Sequence, residues 1–224
     1  MGNDPDEDEP TLGLEAAYSV ESPGDNRRLY AAWATSYEAD FIAAHRYVYH
    51  QRVAEIFVDR AVGCSGPVLD VGCGTGIVGA ELTRLGVGTI DGIDISPEML
   101  IEAGRKAHGD RLVYRHLIEA DLTDHVPIAS DTYDGIVSAG TFTHGHLGPE
   151  AIDELLRVGA PGARCVIGVN SDHFGRLGFA PRLDELRQAA IIIDYSLVDV
   201  AIYDDPERVT PDDVAHVLVF DVGR

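Results

Sequence analysis

Lysine is almost absent from this sequence, and basic residues of any kind are scarce. The 224 residues include 38 acidic and 17 basic side chains, and Lys106 is the only lysine among them. The net charge of −21 at pH 7 repels polyanions, which argues against a general electrostatic footprint for nucleic acid or an anionic membrane surface. Small molecules, or neutral and cationic partners, fit this composition better.

Long apolar runs and paired cysteines are also missing. No stretch approaches the roughly 20 apolar residues of a membrane helix, and the N-terminus carries acids where a signal peptide has basic and apolar residues. Cys64, Cys73 and Cys165 are far apart and lack C-x-x-C spacing, so they suggest neither a disulfide framework nor a zinc site. We therefore expect a cytoplasmic protein with reduced thiols, no membrane contact and no metal.

The length is that of one well-buried domain, preceded by a short segment of different composition. Residues 1–12, MGNDPDEDEPTL, are too polar to bury enough apolar surface, which predicts a disordered acidic tail. Residues 13–224 are expected to form a single domain. Within it, residues 28–61 keep aromatic and aliphatic side chains at helical spacing without Pro or Gly, which predicts two helices ahead of the sheet.

From residue 67 onward, short apolar segments alternate with helical patterns. The predicted strands are PVLDVG, TIDGIDIS, LVYRHLIEADL, YDGIVSAG, ARCVIGVN, YSLVDVAIY and DVAHVLVFDV, and the predicted helices are GIVGAELTRLG, SPEMLIEAGRKA, PEAIDELLRVGA and PRLDELRQAA. Ser96 as N-cap, Pro97 at the first position and Glu98 in the first turn mark one helix start. This alternation is typical of βαβ units and predicts an α/β, Rossmann-like, doubly wound sheet, mostly parallel, with helices on both faces.

The stretch VLDVGCGTGIVGAEL contains two overlapping cofactor signatures. Gly72, Gly74 and Gly76 suit a loop that meets S-adenosylmethionine. The second and third of these glycines, with Gly79, also spell the G-x-G-x-x-G of dinucleotide sites. Asp70 favours the first signature, because a carboxylate so close would repel a pyrophosphate but attract an ammonium or sulfonium group. Gly79 is then left with a role in close helix-to-strand packing.

Further acids follow the second and third predicted strands. Asp94 lies where a carboxylate accepts hydrogen bonds from ribose hydroxyls, which both cofactor classes would use. Asp121 lies where it can accept from an adenine amino group, and the backbone N–H of Leu122 can donate to the ring. Ile95 and Met99 are apolar enough to sandwich that ring, although a core role for Met99 is equally compatible. These residues predict a nucleoside site.

The motifs VLDVGCGTG, GIDISPEML, EADLTD and YDGIVSAGTF follow in an order and spacing that resemble the class I S-adenosylmethionine-dependent methyltransferases. The resemblance covers roughly residues 28–170, and the final helix and two strands are similar to that family's ending. It implies the strand order 3-2-1-4-5-7-6 with an antiparallel last strand. Within the family, GTFTHGHLGPEAIDELLRV and YAAWATSYEADF resemble a small subgroup related to the Williams-Beuren-region methyltransferase.

The resemblance also implies roles for individual residues. It assigns Asp70 and the backbone of Gly72, Gly74 and Gly76 to the methionine end of the cofactor, Asp94 to the ribose, and Asp121 with Leu122 to adenine. Gly140 would contact the cofactor's amino group through its backbone. Tyr37 would bond its carboxylate from a lid helix that also carries Tyr30 and Trp33, for which packing against the sheet is the alternative.

Methyl transfer is an in-line substitution, so the protein's main task is to align the acceptor and exclude water. A general base is needed only if the acceptor must lose a proton. His144 is the first candidate, followed by His146, with Glu150 able to orient either. Closing the lid, or holding a metal as H-x-H, are the alternatives for these histidines. Phe142 is expected to wall the substrate pocket, and His173 to open toward it or to cap a strand.

The expected function is S-adenosylmethionine-dependent methylation of a small molecule at oxygen or nitrogen, with S-adenosylhomocysteine as product. One alternative is an enzyme that binds the same cofactor for a cyclisation or rearrangement. A non-catalytic binding module is the other, although the intact glycines and acids argue against a degenerate site. A monomer or homodimer is expected, without nucleic acid as partner.

Overall fold

The computed structural model describes residues 23–38, 42, 46–61, 63–143, 147–205 and 213–223. The helices are α1 (Pro23–Trp33), α2 (Tyr49–Arg60), α3 (Ile77–Arg84), α4 (Pro97–Ala103), α5 (Ile152–Val158), α6 (Ser171–Arg176) and α7 (Phe179–Gln188). The main strands are β1 (Val68–Val71), β2 (Ile90–Asp94), β3 (Tyr114–Glu119), β4 (Tyr133–Phe142), β5 (Gly159–Asn170), β6 (Ile192–Ala201) and β7 (Val214–Val222). Ala107–His108 and Arg111–Leu112 form a separate small hairpin.

The seven main strands form one sheet, ordered β3-β2-β1-β4-β5-β7-β6 once the small hairpin, which does not join it, is set aside. The first five strands run parallel, and β7 is antiparallel to both neighbours, β5 and β6. The central strand β1 is buried along its whole length, as expected for a parallel strand covered on both faces. The predicted α/β, Rossmann-like fold class is confirmed.

Side chains of the sheet alternate between two cores, one on each face. Val68 belongs to the core under α2 and α3, together with Phe57 and Leu82. Leu69, the next residue, belongs to the core under α5 and α7, together with Leu183. The alternation follows from the pleat, in which successive side chains point to opposite faces. It also means that residues on one strand reach different layers of the molecule.

The helix start at Ser96 is confirmed. The Ser96 side chain accepts a hydrogen bond from the backbone N–H of Met99 at 3.3 Å, and Pro97 occupies the first turn. The helix, however, ends at Ala103, whereas the sequence pattern extended it to Ala107. Gly104 interrupts the helical run, and glycine is a poor helix former, so the chain turns there and enters the small hairpin.

The segment after β5 forms a helix that was not among the helices predicted from the sequence. Asn170 caps α6, since its side chain accepts from the backbone N–H of His173 at 3.1 Å. Helix α7 then begins at Phe179, two residues before the predicted Pro181. An Asn cap followed by a short polar turn is a recognisable start signal, but α6 has only six residues and no apolar periodicity to extend it.

The two expected N-terminal helices are present as α1 and α2. Tyr47, just before α2, forms an antiparallel bridge with Tyr203, which follows β6. The expected tail, residues 1–12, lies outside the described residues, so the division into a tail and a single domain stays a prediction. Within the described ranges, no helix combines the length and apolarity required to cross a bilayer.

Candidate active site

A cleft of about 960 Å³, including its solvent-open part, lies at the carboxyl ends of β1, β2 and β4. This is where ligands bind in open α/β sheets. The described residues that line it are Tyr30, Tyr37, Tyr47, Gly72, Cys73, Gly74, Thr75, Ile77, Val78, Asp94, Ile95, Met99, Ala120, Asp121, Leu122, Thr123, Ala139, Gly140, Thr141 and Leu147. Most of the residues predicted from sequence to bind a cofactor are thus brought together.

The glycine loop turns from β1 into α3 through left-handed backbone conformations. Gly74 has φ +53° and faces open space, so its backbone can be approached closely. The loop is fastened to the next strand, because the N–H groups of Gly72 and Cys73 donate to the carbonyl of Ile93 at 2.8 and 3.0 Å. Gly76, also predicted to meet the cofactor, lies at the start of α3 and does not line the cleft.

Asp94 is held rigidly at the end of β2. One carboxylate oxygen accepts from the backbone N–H of Gly74 at 2.8 Å, and the other accepts from that of Ser96 at 2.9 Å. Burial raises the pKa of Asp94, while these backbone hydrogen bonds lower it. The backbone N–H of Ile95 also interacts with this carboxylate, which offers about four acceptor positions. Asp94 can therefore accept a further hydrogen bond from a ligand in the cleft.

Asp70 lies below the cleft rather than in its wall, which corrects the expected direct contact with the cofactor. It is completely buried, and its Oδ2 accepts a hydrogen bond from the Tyr114 hydroxyl at 2.6 Å. Burial raises the pKa of Asp70 to about 7, although the hydrogen bond from Tyr114 lowers it. Strand alternation explains the position, because Asp70 points to the same face as Val68, toward α3.

Tyr114 fills the space under the glycine loop. A Cβ added to Gly79 would overlap the Tyr114 hydroxyl, and one added to Gly76 would lie 2.8 Å from the ring. The packing role expected for Gly79 is therefore seen directly, with Tyr114 as the neighbour.

A second group of predicted residues lies farther along the cleft, after β2 and β3. Ile95, Met99 and Leu122 present apolar surface there, and Met99 is only 2% exposed. Asp121 lies two residues beyond the end of β3, and its Oδ1 accepts from the backbone N–H and the hydroxyl of Thr123 at 2.8 and 2.7 Å. This end of the cleft thus combines a fixed carboxylate with a narrow apolar slot.

Aromatic residues of the N-terminal segment cover the cleft, but not all of those predicted reach it. Tyr30 and Tyr37 line it, whereas Trp33 is buried behind them, with its ring centroid 5.1 Å from that of Tyr37. Burial is the main cause that raises the pKa of Tyr37 well above its usual range. The Tyr37 phenol therefore stays protonated and can donate a hydrogen bond.

Two residues expected in the substrate pocket belong to the core instead. Phe142 is 1% exposed and packs against Phe179 at a centroid distance of 6.3 Å. His173 is buried, and its Nε2 lies 2.8 Å from the Leu147 carbonyl. Because a carbonyl only accepts, that nitrogen carries the hydrogen. His173 thereby fixes Leu147, which does line the cleft, so it supports the wall without forming it.

The two candidate bases cannot be placed by the fold. His144 and His146 lie outside the described residues, as does Gly145 between them. Glu150 is exposed in the following turn, with its carboxylate folded against Gly148. Among the residues that the structure covers, no group of three His, Cys, Asp or Glu side chains is arranged to hold a metal ion.

Several cleft residues were not identified from the sequence. Thr75 is 2% exposed, and its hydroxyl has no hydrogen-bond partner among the described residues. Its position inside the glycine loop was a usable signal. Tyr47 and Leu147 had no such signal in the sequence. Tyr47 is brought to the cleft by its bridge to Tyr203, and Leu147 by the hydrogen bond that its carbonyl accepts from His173. Gly140, with φ +85°, lines the cleft as expected, beside the Tyr47 hydroxyl.

Comparison with known proteins agrees with this architecture. A family described as "Methyltransferase domain" matches residues 69–167. Human methyltransferase-like protein 27 is 29% identical over 183 residues, covering 80% of this chain and 72% of that protein. A ubiquinone/menaquinone biosynthesis C-methyltransferase from Geobacter sulfurreducens is 32% identical over 136 residues, covering 55% of this chain and about half, 53%, of that protein.

Solved structures with the same fold include enzymes of more than one activity. The [4+2]-cyclase SpnF has a TM-score of 0.66 at 19% identity, covering 91% of this chain and 97% of that chain. A TehB-like S-adenosylmethionine-dependent methyltransferase from Corynebacterium glutamicum has a TM-score of 0.59 at 19% identity, covering 88% and 100%. The solved structures show the fold, and the family match with the methyltransferase relatives shows that residues 69–167 belong to the methyltransferase domain family, whose cofactor is S-adenosylmethionine.

Proposed function

We propose that the protein transfers the methyl group of S-adenosylmethionine to an oxygen or nitrogen of a small-molecule acceptor. The observation that carries the proposal is a single cleft lined both by the glycine loop with the backbone-fixed carboxylate of Asp94 and by the tyrosines Tyr30, Tyr37 and Tyr47. Ligand sites in proteins are concave and mostly apolar, with a few convergent polar groups, and the residues that line this cleft have that composition.

The residues present fit the cofactor. When bound, S-adenosylmethionine supplies a methyl group already activated by the sulfonium charge. Asp94 keeps acceptor capacity for ribose hydroxyls, and Asp121 with Leu122 would recognise adenine between Ile95 and Met99. The orphan hydroxyl of Thr75 needs a polar partner, since a buried unpaired hydroxyl is costly.

The remaining cofactor assignments concern the methionine end. We assign the backbone of Gly72, Gly74 and Gly140 to it, together with a hydrogen bond donated by Tyr37. Gly76 would act through the shape of the loop only. Asp70 would act from below, by holding Tyr114 under that loop.

The part of the cleft assigned to the acceptor is aromatic and carries no basic side chain among the described lining residues. Tyr30, Tyr47, Thr141 and Leu147 form this part of the wall. Together with the net charge of −21, such a wall disfavours phosphorylated or polymeric anionic acceptors. Aromatic faces also attract cations. Neutral or cationic small molecules are therefore the proposed acceptors, and nucleic acid is not.

We assign the proton transfer to the loop that follows β4. His144 is proposed as the general base, His146 as the next candidate, and Glu150 as the residue that orients either one. The described residues Thr141 and Leu147, which come shortly before and directly after these histidines in sequence, both line the cleft. A base is required for a hydroxyl acceptor, and histidine is suited to this task near neutral pH.

Titration calorimetry with S-adenosylmethionine and S-adenosylhomocysteine, followed by incubation with labelled donor, tests the proposal. The acceptor panel contains neutral phenols and alcohols, amines, carboxylic acids, an enolisable carbon acid and a short RNA. We expect binding of both nucleosides and label transfer to a phenol, alcohol or amine. Label on carbon or RNA would contradict the acceptor class, and absence of nucleoside binding would contradict the cofactor site.

The similarity in fold to the [4+2]-cyclase SpnF suggests a second activity that can be tested, a cofactor-dependent cyclisation or rearrangement. If the nucleosides bind and no member of a broad panel is labelled, a cofactor-dependent cyclisation or rearrangement replaces methyl transfer as the better proposal. A non-catalytic module would bind the nucleosides and leave every acceptor unchanged. Because a cyclisation or rearrangement leaves the mass of a compound unchanged, chromatography and NMR of the unlabelled acceptors separate these two outcomes.

A further inference from the structure

One ion pair joins the segment that covers the cleft to the body of the molecule. The Lys106 ammonium lies 2.6 and 2.7 Å from the two carboxylate oxygens of Glu38. The Lys106 side chain is 26% exposed and that of Glu38 is 41% exposed. Glu38 directly follows Tyr37, which lines the cleft. We call residues 30–38 the lid segment.

Lys106 is a fixed point beside the glycine loop. Its backbone N–H donates to the Ala103 carbonyl at 3.1 Å, and its carbonyl accepts from Val113 at 3.0 Å. Its aliphatic stem passes the turn into α3, since a Cβ on Gly76 would lie 3.2 Å from Lys106 Cγ. An ammonium on an unbranched stem fits this narrow space, and this is the only lysine in the chain. The Glu38 end, by contrast, belongs to the lid segment.

The lid segment transmits the position of Glu38 to the cleft. Tyr37 packs edge-on against Trp33 at 5.1 Å and lies at 6.2 Å from Tyr30, so the three rings form one unit. Burial is the main cause that raises the pKa of Tyr37, followed by Tyr30, Tyr203 and then the charges of Glu38 and Asp94. Both carboxylates therefore influence the Tyr37 phenol.

Other ion pairs of the chain are less suited to this task. Arg105–Glu102 and Arg84–Glu81 each join residues only three apart in sequence. Arg27–Glu119 also ties the N-terminal part to the sheet, but both of its side chains are 51% exposed. Exposed pairs contribute little because water screens them. The Lys106–Glu38 pair is less exposed and engages both carboxylate oxygens.

We propose that Lys106 is a positioning residue: its ion pair with Glu38 holds Tyr37 over the cleft and sets how fast the cofactor enters and leaves. The inference rests on the proposed function only for the identity of the ligand. Closure of the lid segment is a property of the cofactor-free protein and is measured without any ligand.

Trp33 is the only tryptophan of the chain, so fluorescence excited selectively at tryptophan, beyond the absorption of the nine tyrosines, reports on the lid segment. It is 1% exposed and should resist quenching by acrylamide while the lid segment is closed. Glu38→Gln and Lys106→Gln should each increase quenching of the cofactor-free protein. Arg105→Gln, which removes the neighbouring local ion pair with Glu102, is the matched control and should leave quenching at the wild-type level.

The charge-reversed double variant Glu38→Lys/Lys106→Glu separates attraction from packing. Recovery of quenching toward the wild-type value is expected, because the pair is restored with opposite polarity. In stopped-flow experiments, S-adenosylhomocysteine should leave Glu38→Gln about two- to fivefold faster than wild type. Circular dichroism tests whether each variant is folded. If Lys106→Gln does not fold, Glu38→Gln alone is sufficient to test the proposal.

Unchanged quenching in Glu38→Gln would overturn the proposal, as would single variants that open the lid segment while the reversed pair fails to close it. In the latter case the stem of Lys106, and not its charge, would hold the segment. Failure of the wild type to bind either nucleoside would count against the proposed function alone, since quenching of the cofactor-free protein is independent of it.

Discussion

The part of the cleft assigned to the cofactor and the part assigned to the acceptor are built in different ways. In the cofactor part, backbone N–H groups within the glycine and GIDISPEML motifs fix the carboxylate, as when Gly74 and Ser96 hold Asp94. In the acceptor part, contacts from segments outside those motifs position the wall, as when Tyr47 bridges to Tyr203 and His173 holds Leu147. Bonds within and between the motifs keep one part constant, whereas the other can change with segments beyond them.

The largest effect is expected in the acceptor part, from His144→Ala. If His144 is the base, kcat should fall by about 10²- to 10⁴-fold, the usual contribution of general acid–base catalysis. The dissociation constant of S-adenosylmethionine should not change, because the cofactor part is untouched. His108→Ala, on the exposed hairpin, is the control. Wild-type turnover of His144→Ala at saturating acceptor would remove it from the role.

Asp94→Ala should instead weaken binding of the cofactor. We expect S-adenosylmethionine to bind more than tenfold more weakly, since hydrogen bonds to a charged group are worth roughly 1.5–3 kcal/mol each. Calorimetry measures the change, and Asp110→Ala, an exposed acid, should bind normally. An unchanged dissociation constant for Asp94→Ala would contradict its assignment to the ribose.

Gly79→Ala tests the support under the cofactor part without touching the cleft. The added methyl group would overlap the Tyr114 hydroxyl, and overpacking of this kind costs about 1–3 kcal/mol. Urea unfolding should show that loss for Gly79→Ala and almost none for Gly88→Ala, where a Cβ meets nothing within 4 Å. Equal stabilities of the two variants would mean that Tyr114 moves aside freely.

The smallest expected effect is a pH dependence beneath the same loop. Burial raises the pKa of Asp70 to about 7, above the value of about 3.9 for an unfolded chain. Between these values only the folded state holds the proton, so this contribution to stability is complete below about pH 4. It is lost as pH rises toward and through 7, with a slope of at most about 1.4 kcal/mol per pH unit.

Asp70→Asn isolates this contribution, because it keeps an acceptor for Tyr114 and removes the titration. The free energy of unfolding, measured in urea at several pH values between 4 and 8, should fall less steeply for the variant than for wild type. Parallel curves would show that Asp70 does not hold a proton in the folded state.

The sequence was sufficient for the parts of the fold and site whose chemistry is local. Strand and helix alternation predicted the sheet, and glycines with following acids predicted Gly74 and Asp94 in the cleft. Asp70 was predicted to contact the cofactor from its place in the motif alone. The alternation of side chains along β1 directs it to the same face as Val68, below the cleft. That signal was available, since side-chain direction alternates along any strand.

The remaining differences depend on packing between distant segments. Trp33 and Phe142 are large apolar residues near the cleft, and only the assembled core shows that they face away from it. Tyr47 could not be distinguished from the other aromatic residues around it until its bridge to Tyr203 was known. The roles of His144 and His146 stay predictions, because neither lies in the described part of the chain.

The insertion of β7 between β5 and β6 has a consequence for how the protein is made. Because synthesis proceeds from the N-terminus, β6 leaves the ribosome before its partner exists. At about 5–20 residues per second, residues 202–222 follow only about one to four seconds later. During that interval β5 and β6 each have an unpaired edge, and unpaired strand edges are templates for wrong pairing. The exposed Ile193 and Leu197 on β6 add apolar surface to that edge strand. Newly made chains should therefore depend on chaperones most strongly just before β7 emerges.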